Sequence, residues 1–133
     1  MQPVQGARGP RLPADGALLS RRLLLTLGWG SAGAIVWLSL TPSPPPTLGI
    51  AQGDKLEHLG AYGLLMLLFA LSYRRSGVRL AYAAGFCAMG VALEFLQRLT
   101  GYRTFDVYDM LANGAGVALG WAAAGFLPGL RLR

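Results

Sequence analysis

The ionisable side chains of this sequence are few, and they lie at the ends of apolar segments. His58 is the single histidine, and five of the six acidic residues border long apolar stretches. Those five are Asp54, Glu57, Glu94, Asp106 and Asp109. Carboxylates beside an imidazole are suited to general acid–base catalysis, nucleophilic attack or metal binding. Because ionisable groups at membrane depth are costly and usually mark function, the set predicts a site.

Helical spacing sorts the polar residues onto three helix ends. Residues three, four, seven or eight positions apart share one face of a helix. The three faces carry Asp54, His58 and Tyr62; Glu94, Gln97 and Arg98; and Asp106, Asp109 and Asn113. The sequence therefore predicts one polar cluster drawn from three helices.

The last of these helices also carries small residues at regular spacing, Ala112, Gly116, Gly120 and Ala124. Small residues at four-residue intervals let helices approach closely. We expect this helix to press inward, so that its polar residues enter the interior instead of facing headgroups.

The residue types predict chemical roles. His58, Glu94 and Asp109 are the predicted catalytic residues, with His58 as general acid/base or nucleophile, oriented by Asp54 or Glu94. This set fits phosphoester transfer or hydrolysis, in which positioning and charge stabilisation dominate. The sequence contains no P-loop and no H-E-x-x-H motif, so no specific reaction is indicated.

Binding roles follow from the neighbouring cations and amides. Arg98 or Arg103 would bind a phosphate or pyrophosphate. Asp109 and Asn113 would orient a substrate or hold a divalent cation such as Mg²⁺ through oxygen ligands. No other cofactor is evident from the sequence, and the metal ligands are unknown.

Several of these residues have structural alternatives. Asp54 and Asp106 are suited to cap helix N-termini. Lys55 has the length of an interfacial anchor, and Glu57 lies off the His58 face and is expected to be solvated. Asn113 is suited to a hydrogen bond between helices.

Composition indicates a membrane protein. The 133 residues are 53% hydrophobic and 14% charged, whereas soluble domains carry about 25% charged residues. Four apolar segments approach the length of a membrane span. They predict an all-α fold, an integral membrane bundle of four transmembrane helices at about 23–40, 56–73, 78–97 and 107–127. Residues 1–20 are predicted to be a disordered cytoplasmic tail, and 21–130 to form the membrane domain.

The basic residues predict the orientation. The net charge is +6, but the basic residues flank apolar runs instead of forming a stripe, which argues against nucleic-acid binding. Nine arginines lie at one set of segment ends, against Lys55, Arg98 and Arg103 at the other. The positive-inside rule then puts both termini in the cytoplasm. The proline-rich loop 41–55 would lie outside and stiffen the outer mouth of the bundle.

The polar residues also carry a resemblance to a known family. The pattern D-K-x-x-H-x-x-x-Y begins at Asp54, E-x-x-Q begins at Glu94, and R-x-x-D-x-x-D-x-x-x-N begins at Arg103. In this order the chain resembles the VanZ-like family of small bacterial membrane proteins. The resemblance implies a four-helix domain in the bacterial cytoplasmic membrane and a link to teicoplanin resistance. The predicted substrate-binding residues are Arg103, Asn113, Gln97, Tyr62, Asp54, Lys55 and Asp106.

Three functions remain open at this point. The first is an enzyme acting on lipid headgroups or lipid-linked cell-envelope precursors. The second is a non-catalytic protein that binds a lipid or an antibiotic target and contributes to glycopeptide tolerance. The third is a polar network that only stabilises the bundle. Whether the protein is an enzyme, and its oligomeric state, are not decided by the sequence.

Overall fold

The structure is a computed structural model that describes residues 14–46 and 49–127, with side chains from Ser20 onward. It contains four helices in these ranges, α1 (Ala14–Leu40), α2 (Gly53–Ser72), α3 (Ser76–Thr100) and α4 (Val107–Phe126). The predicted all-helical fold is confirmed. Helix α1 begins nine residues before the expected start at 23, so residues 14–20 of the predicted tail are helical and residues 1–13 lie outside the described residues.

The breaks between helices follow from local sequence. Pro42 lies two residues after the end of α1, and proline cannot continue a helix because it lacks an amide hydrogen. Gly101 ends α3 with a φ of 75°, a left-handed conformation that favours glycine. Asp106 caps α4 by accepting a 2.8 Å hydrogen bond from the Tyr108 amide, as expected for an N-cap aspartate. Asp54 is not a cap, because it lies in the first turn of α2 after Gln52.

Helix α2 packs against the other three helices, most extensively against α4. The two helices approach closely where Gly116 and Gly120 face Leu59, Gly63 and Leu67 of α2; a Cβ atom at either glycine would collide with α2 backbone oxygens. The small-residue series of α4 therefore does press inward, as predicted. Small residues replace side-chain packing with backbone-to-backbone contact.

The core lies along α2. Tyr62, Leu65, Met66 and Phe69 are almost completely buried. Large apolar side chains nevertheless remain exposed on every helix, including Trp37, Leu64, Leu80 and Phe126. Two helical segments, Ser20–Leu40 and Ser76–Thr100, are long and apolar enough to cross a membrane. These features are compatible with a membrane protein.

Candidate functional site

The centre of the polar cluster is Lys55, in the first turn of α2. Its Nζ atom lies 2.7 Å from Asp106 Oδ2, 3.0 Å from Asp109 Oδ1 and 3.0 Å from Asp54 Oδ2. Its side chain is 22% exposed. An ammonium group has three donors, and all three are used here. Lys55 therefore joins the start of α2 to the start of α4, which a lipid-facing anchor would not do.

The charges in this group stabilise one another. The hydrogen bond from Lys55 is the largest influence on both Asp54 and Asp106, and it lowers the pKa of each carboxyl below its usual value. The same contacts raise the pKa of Lys55, with Asp106 contributing most. Opposite charge at hydrogen-bond distance favours the ionised form of both partners.

Asp109 has a second neighbour, His58. Its Oδ1 atom accepts from Lys55, while its Oδ2 atom lies 3.7 Å from His58 Nε2. The other ring nitrogen of His58, Nδ1, is 2.9 Å from Asn113 Oδ1. The hydrogen-bond partner of the His58 ring is therefore Asn113 of α4, one turn after Asp109. An orienting role for Asp54 or Glu94 stays a prediction.

Glu94 is the most buried acidic residue among those described, at 1% exposed. Its Oε2 atom accepts a 3.1 Å hydrogen bond from the Asp106 backbone amide. Asp106 thus caps α4 with its side chain and is itself held by α3 through its backbone. Burial of a carboxylate is costly unless hydrogen bonds or charges compensate it, so Glu94 is the residue in this cluster whose environment most needs explanation.

A pocket of about 320 Å³ opens beside His58, between the end of α1, the proline-rich loop and the start of α2. Its lining includes the apolar residues Ile35, Leu38 and Ala61, together with Pro44–Pro46. It also includes the polar residues Asp54, Glu57, His58, Tyr62 and Arg103. The predicted shared face of Asp54, His58 and Tyr62 is thus confirmed, since all three line this pocket.

Two other predicted residues lie apart from the pocket. Gln97 is buried and its Nε2 atom donates a 3.0 Å hydrogen bond to the Ser39 carbonyl, which ties α3 to α1. Arg98 is exposed and its guanidinium lies 5.8 Å from the centre of the Phe105 ring. A substrate-binding role for Gln97 stays a prediction, but its hydrogen bond is already used within the protein.

Among the described residues, two groups of side chains have metal-ligand composition. They are Asp54 with Asp106 and Asp109, and His58 with Glu94 and Asp109, and within each group the ligand atoms lie within 4.8 Å of one another. Lys55 Nζ contacts all three carboxylates of the first group. The charge of that group is therefore partly neutralised by an internal cation, and one oxygen of each carboxylate is engaged. The expected Asp109–Asn113 oxygen site is also weakened, because Asn113 Oδ1 faces the His58 ring.

Sequence reasoning missed the apolar lining of the pocket and the central position of Lys55. The loop prolines were expected at the mouth of the bundle, but no sequence pattern singles out Ile35 or Leu38. The signal for Lys55 was its place between two acidic faces, Asp54 next to it and Asp106–Asp109 on the last helix. The number of acidic residues on these two helix ends favours an ion pair for Lys55 over a role as an interfacial anchor.

Comparison with known proteins identifies the relatives of this chain. A family model described as VanZ/LLP1 matches residues 34–128. An uncharacterized protein of Schizosaccharomyces pombe is 34% identical over 77 residues, which cover 56% of this chain and 48% of that protein. The chain thus spans about half the length of this curated relative. No solved structure matches significantly.

Proposed function

This chain belongs to the VanZ/LLP1 family, and we propose that it is a membrane protein that binds the phosphate-bearing headgroup of a lipid or a lipid-linked cell-envelope precursor. The observation that carries the proposal is the pocket beside His58, whose lining combines apolar and polar side chains. An amphiphile needs both surfaces at once, because its chain seeks apolar contact and its headgroup needs polar partners.

Arg103 is the phosphate-binding group of this proposal. It is half-buried and lines the pocket with His58. A guanidinium is always charged and presents a planar fork of donors that matches phosphate oxygens. Asp54 and Glu57 also line the pocket. They would disfavour a bare anion that does not contact Arg103, so they would select headgroups that also carry a hydroxyl or ammonium group.

All four helices cross the membrane in this proposal, with both termini in the cytoplasm. Two helical segments have the length and composition of a span, and the polar first turns of α2 and α4 pair with each other through Lys55. That pairing supports placing α2 and α4 in a bilayer, because Lys55 compensates part of their charge inside the bundle. By the arginine bias, the pocket then faces outward.

The predicted catalytic roles of His58, Glu94 and Asp109 have the support of proximity, since the three side chains lie together. A second function also has support. The Lys55 contacts to three carboxylates are the pattern of a stabilising network. We therefore assign Lys55, Asp106 and Asp54 mainly to stability, and the pocket to ligand binding.

The test is lipid capture by the purified full chain. Protein in mild detergent is mixed with an envelope lipid extract, re-isolated, and its bound lipids are measured by mass spectrometry. We expect enrichment of phosphate-bearing amphiphiles, reduced at least tenfold by Arg103→Gln. Arg98→Gln is the matched control, because Arg98 lies outside the pocket. Equal lipid recovery from the wild type and from Arg103→Gln would contradict the proposal. Release of phosphate during the incubation would support the predicted phosphoester hydrolysis in addition to binding.

A further inference from the structure

We infer that His58, Glu94 and Asp109 form a binding site for a divalent transition-metal ion of the Zn²⁺ type. The inference goes beyond lipid binding and does not depend on it. The three side chains come from α2, α3 and α4, and their ligand atoms lie within 4.8 Å of one another.

The orientation of His58 is the first argument. Its Nδ1 atom is 2.9 Å from the Asn113 side-chain oxygen, an acceptor, so Nδ1 carries a proton, and in the neutral ring Nε2 has a lone pair. Metal-binding histidines commonly donate their second ring nitrogen to an oxygen in this way, which fixes the tautomer and the ring. The lone pair of Nε2 then faces Asp109.

The distance between His58 Nε2 and Asp109 Oδ2 is the second argument. At 3.7 Å it is too long for a hydrogen bond. Two ligands on one tetrahedral zinc ion, with bonds of about 2.1 Å, stand roughly 3.4 Å apart. The separation of these two atoms is therefore close to that of two ligands of one zinc ion. A side-chain shift of about 1 Å would bring the ligand atoms that lie further apart to the same separation.

Charge is the third argument. Asp54, Glu94, Asp106 and Asp109 are four carboxyl groups, and Lys55 is the cation that contacts three of them. With all four carboxyl groups ionised and His58 neutral, the cluster has a formal charge of −3. Partly buried negative charge of this size needs a counter-charge. A divalent cation beside Glu94 would supply it where Lys55 does not reach.

A buried hydroxyl next to the site is the fourth argument. Tyr62 is 2% exposed, and its hydroxyl oxygen has no hydrogen-bond partner among the described residues. It lies one helical turn after His58, lines the same pocket and is close enough to Glu94 to interact with its charge. Buried hydroxyls are nearly always partnered. A water molecule on a metal held by Glu94 would give Tyr62 that partner.

The ligand set selects the class of ion. One imidazole nitrogen with two carboxylates suits zinc and its neighbours, whereas Mg²⁺ prefers an all-oxygen shell. Three protein ligands also leave a position for water or a substrate oxygen, which is the composition of catalytic zinc sites. The expectation of Mg²⁺ is therefore replaced by a softer ion.

The experiment measures metal binding by the purified full chain in detergent. Chelator-treated protein is titrated with Zn²⁺ by calorimetry, and Co²⁺ is used as a spectroscopic probe. We expect one equivalent of Zn²⁺, a higher thermal midpoint with the metal, and visible Co²⁺ absorption of a low-coordinate site. His58→Ala and Glu94→Gln should each weaken Zn²⁺ binding at least a hundredfold.

Glu57→Gln is the matched control, because it removes a carboxylate next to His58 but outside the three ligands, and it should bind Zn²⁺ as the wild type does. Folding of each variant is checked by its metal-free thermal midpoint. If His58→Ala or Glu94→Gln does not fold, Asp109→Asn replaces it as the variant that lacks a ligand. Arg103→Gln should lose lipid and keep the metal, so the two proposals fail separately. Zn²⁺ binding that is absent, or unchanged in His58→Ala and Glu94→Gln, would overturn the inference.

Discussion

Lys55 Nζ lies 2.7 Å from Asp106 Oδ2, an ion pair between residues 51 positions apart in the chain. The pair connects the first turn of α2 to the N-cap of α4, and Asp109 Oδ1 adds a second contact to the same nitrogen. Asp106 is also the residue whose amide binds Glu94. The contact thus holds three helices in register at the end of the bundle that contains the pocket.

Removal of this cation should destabilise the bundle. In Lys55→Met, three carboxylates would face one another without their shared cation, and like charges repel. We expect a lower thermal midpoint in detergent, measured by circular dichroism. A double-mutant cycle with Asp106→Asn should show that the second change costs less in the Lys55→Met background than in the wild type. Strict additivity of the two changes would mean that the pair contributes nothing.

The same group predicts a loss of stability in acid. The folded-state pKa values of Asp54 and Asp106 lie below the usual 3.8 because Lys55 donates to both. A lowered pKa contributes stability above 3.8 that is lost as the pH falls through the folded-state value. The contribution of these two groups to the thermal midpoint should therefore be constant from pH 7 to about pH 5 and decrease below about pH 4.

Lys55→Met provides the comparison for the acid limb. Without the lysine, these two carboxyls lose the largest cause of their lowered pKa. The variant should begin at a lower midpoint and show a shallower fall between about pH 5 and pH 3. An acid limb as steep as that of the wild type would assign the effect to other carboxyl groups.

Two glycines of α4 should respond in opposite directions to alanine. Gly116→Ala puts a Cβ atom against the Leu59 carbonyl oxygen, so we expect about 1–3 kcal/mol of lost unfolding free energy from overpacking. Gly114 has open space at the same position, and alanine there should stabilise the helix by up to about 1 kcal/mol. Steric-trapping or denaturant unfolding in micelles measures both. Similar effects of the two changes would argue against the close α2–α4 contact.

Cysteine labelling tests the proposed orientation. Cys87 is the single cysteine, so Cys87→Ser gives a background for new sites. Ser43 and Ser76 are exposed and lie at opposite ends of the bundle. In intact cells, an impermeant maleimide should label the Ser43→Cys variant, and the Ser76→Cys variant should react only after permeabilisation. The reverse pattern would place the pocket on the cytoplasmic side.

The helices and the identity of the polar residues could be predicted from sequence, because both are local properties. Apolar runs between proline and charged residues predict α2, α3 and α4 to within a few residues. The i, i+4 spacing correctly places His58 and Tyr62 on one face, and the spacing of Gly116 and Gly120 correctly predicts a close approach of α4. Periodicity, however, says nothing about which helix faces which.

The partners inside the cluster were decided by tertiary structure alone. His58 is hydrogen-bonded to Asn113 and lies beside Asp109, both of which belong to α4. The close contact of Gly116 and Gly120 with α2 brings the two helices together next to His58. Lys55 is a central ion-pair partner because two helix starts meet there, and Gln97 is used to bind the Ser39 carbonyl. Sequence determined which groups are available for chemistry, and the helix packing determined their partners, since contacts between residues more than 50 positions apart depend on geometry that no local pattern encodes.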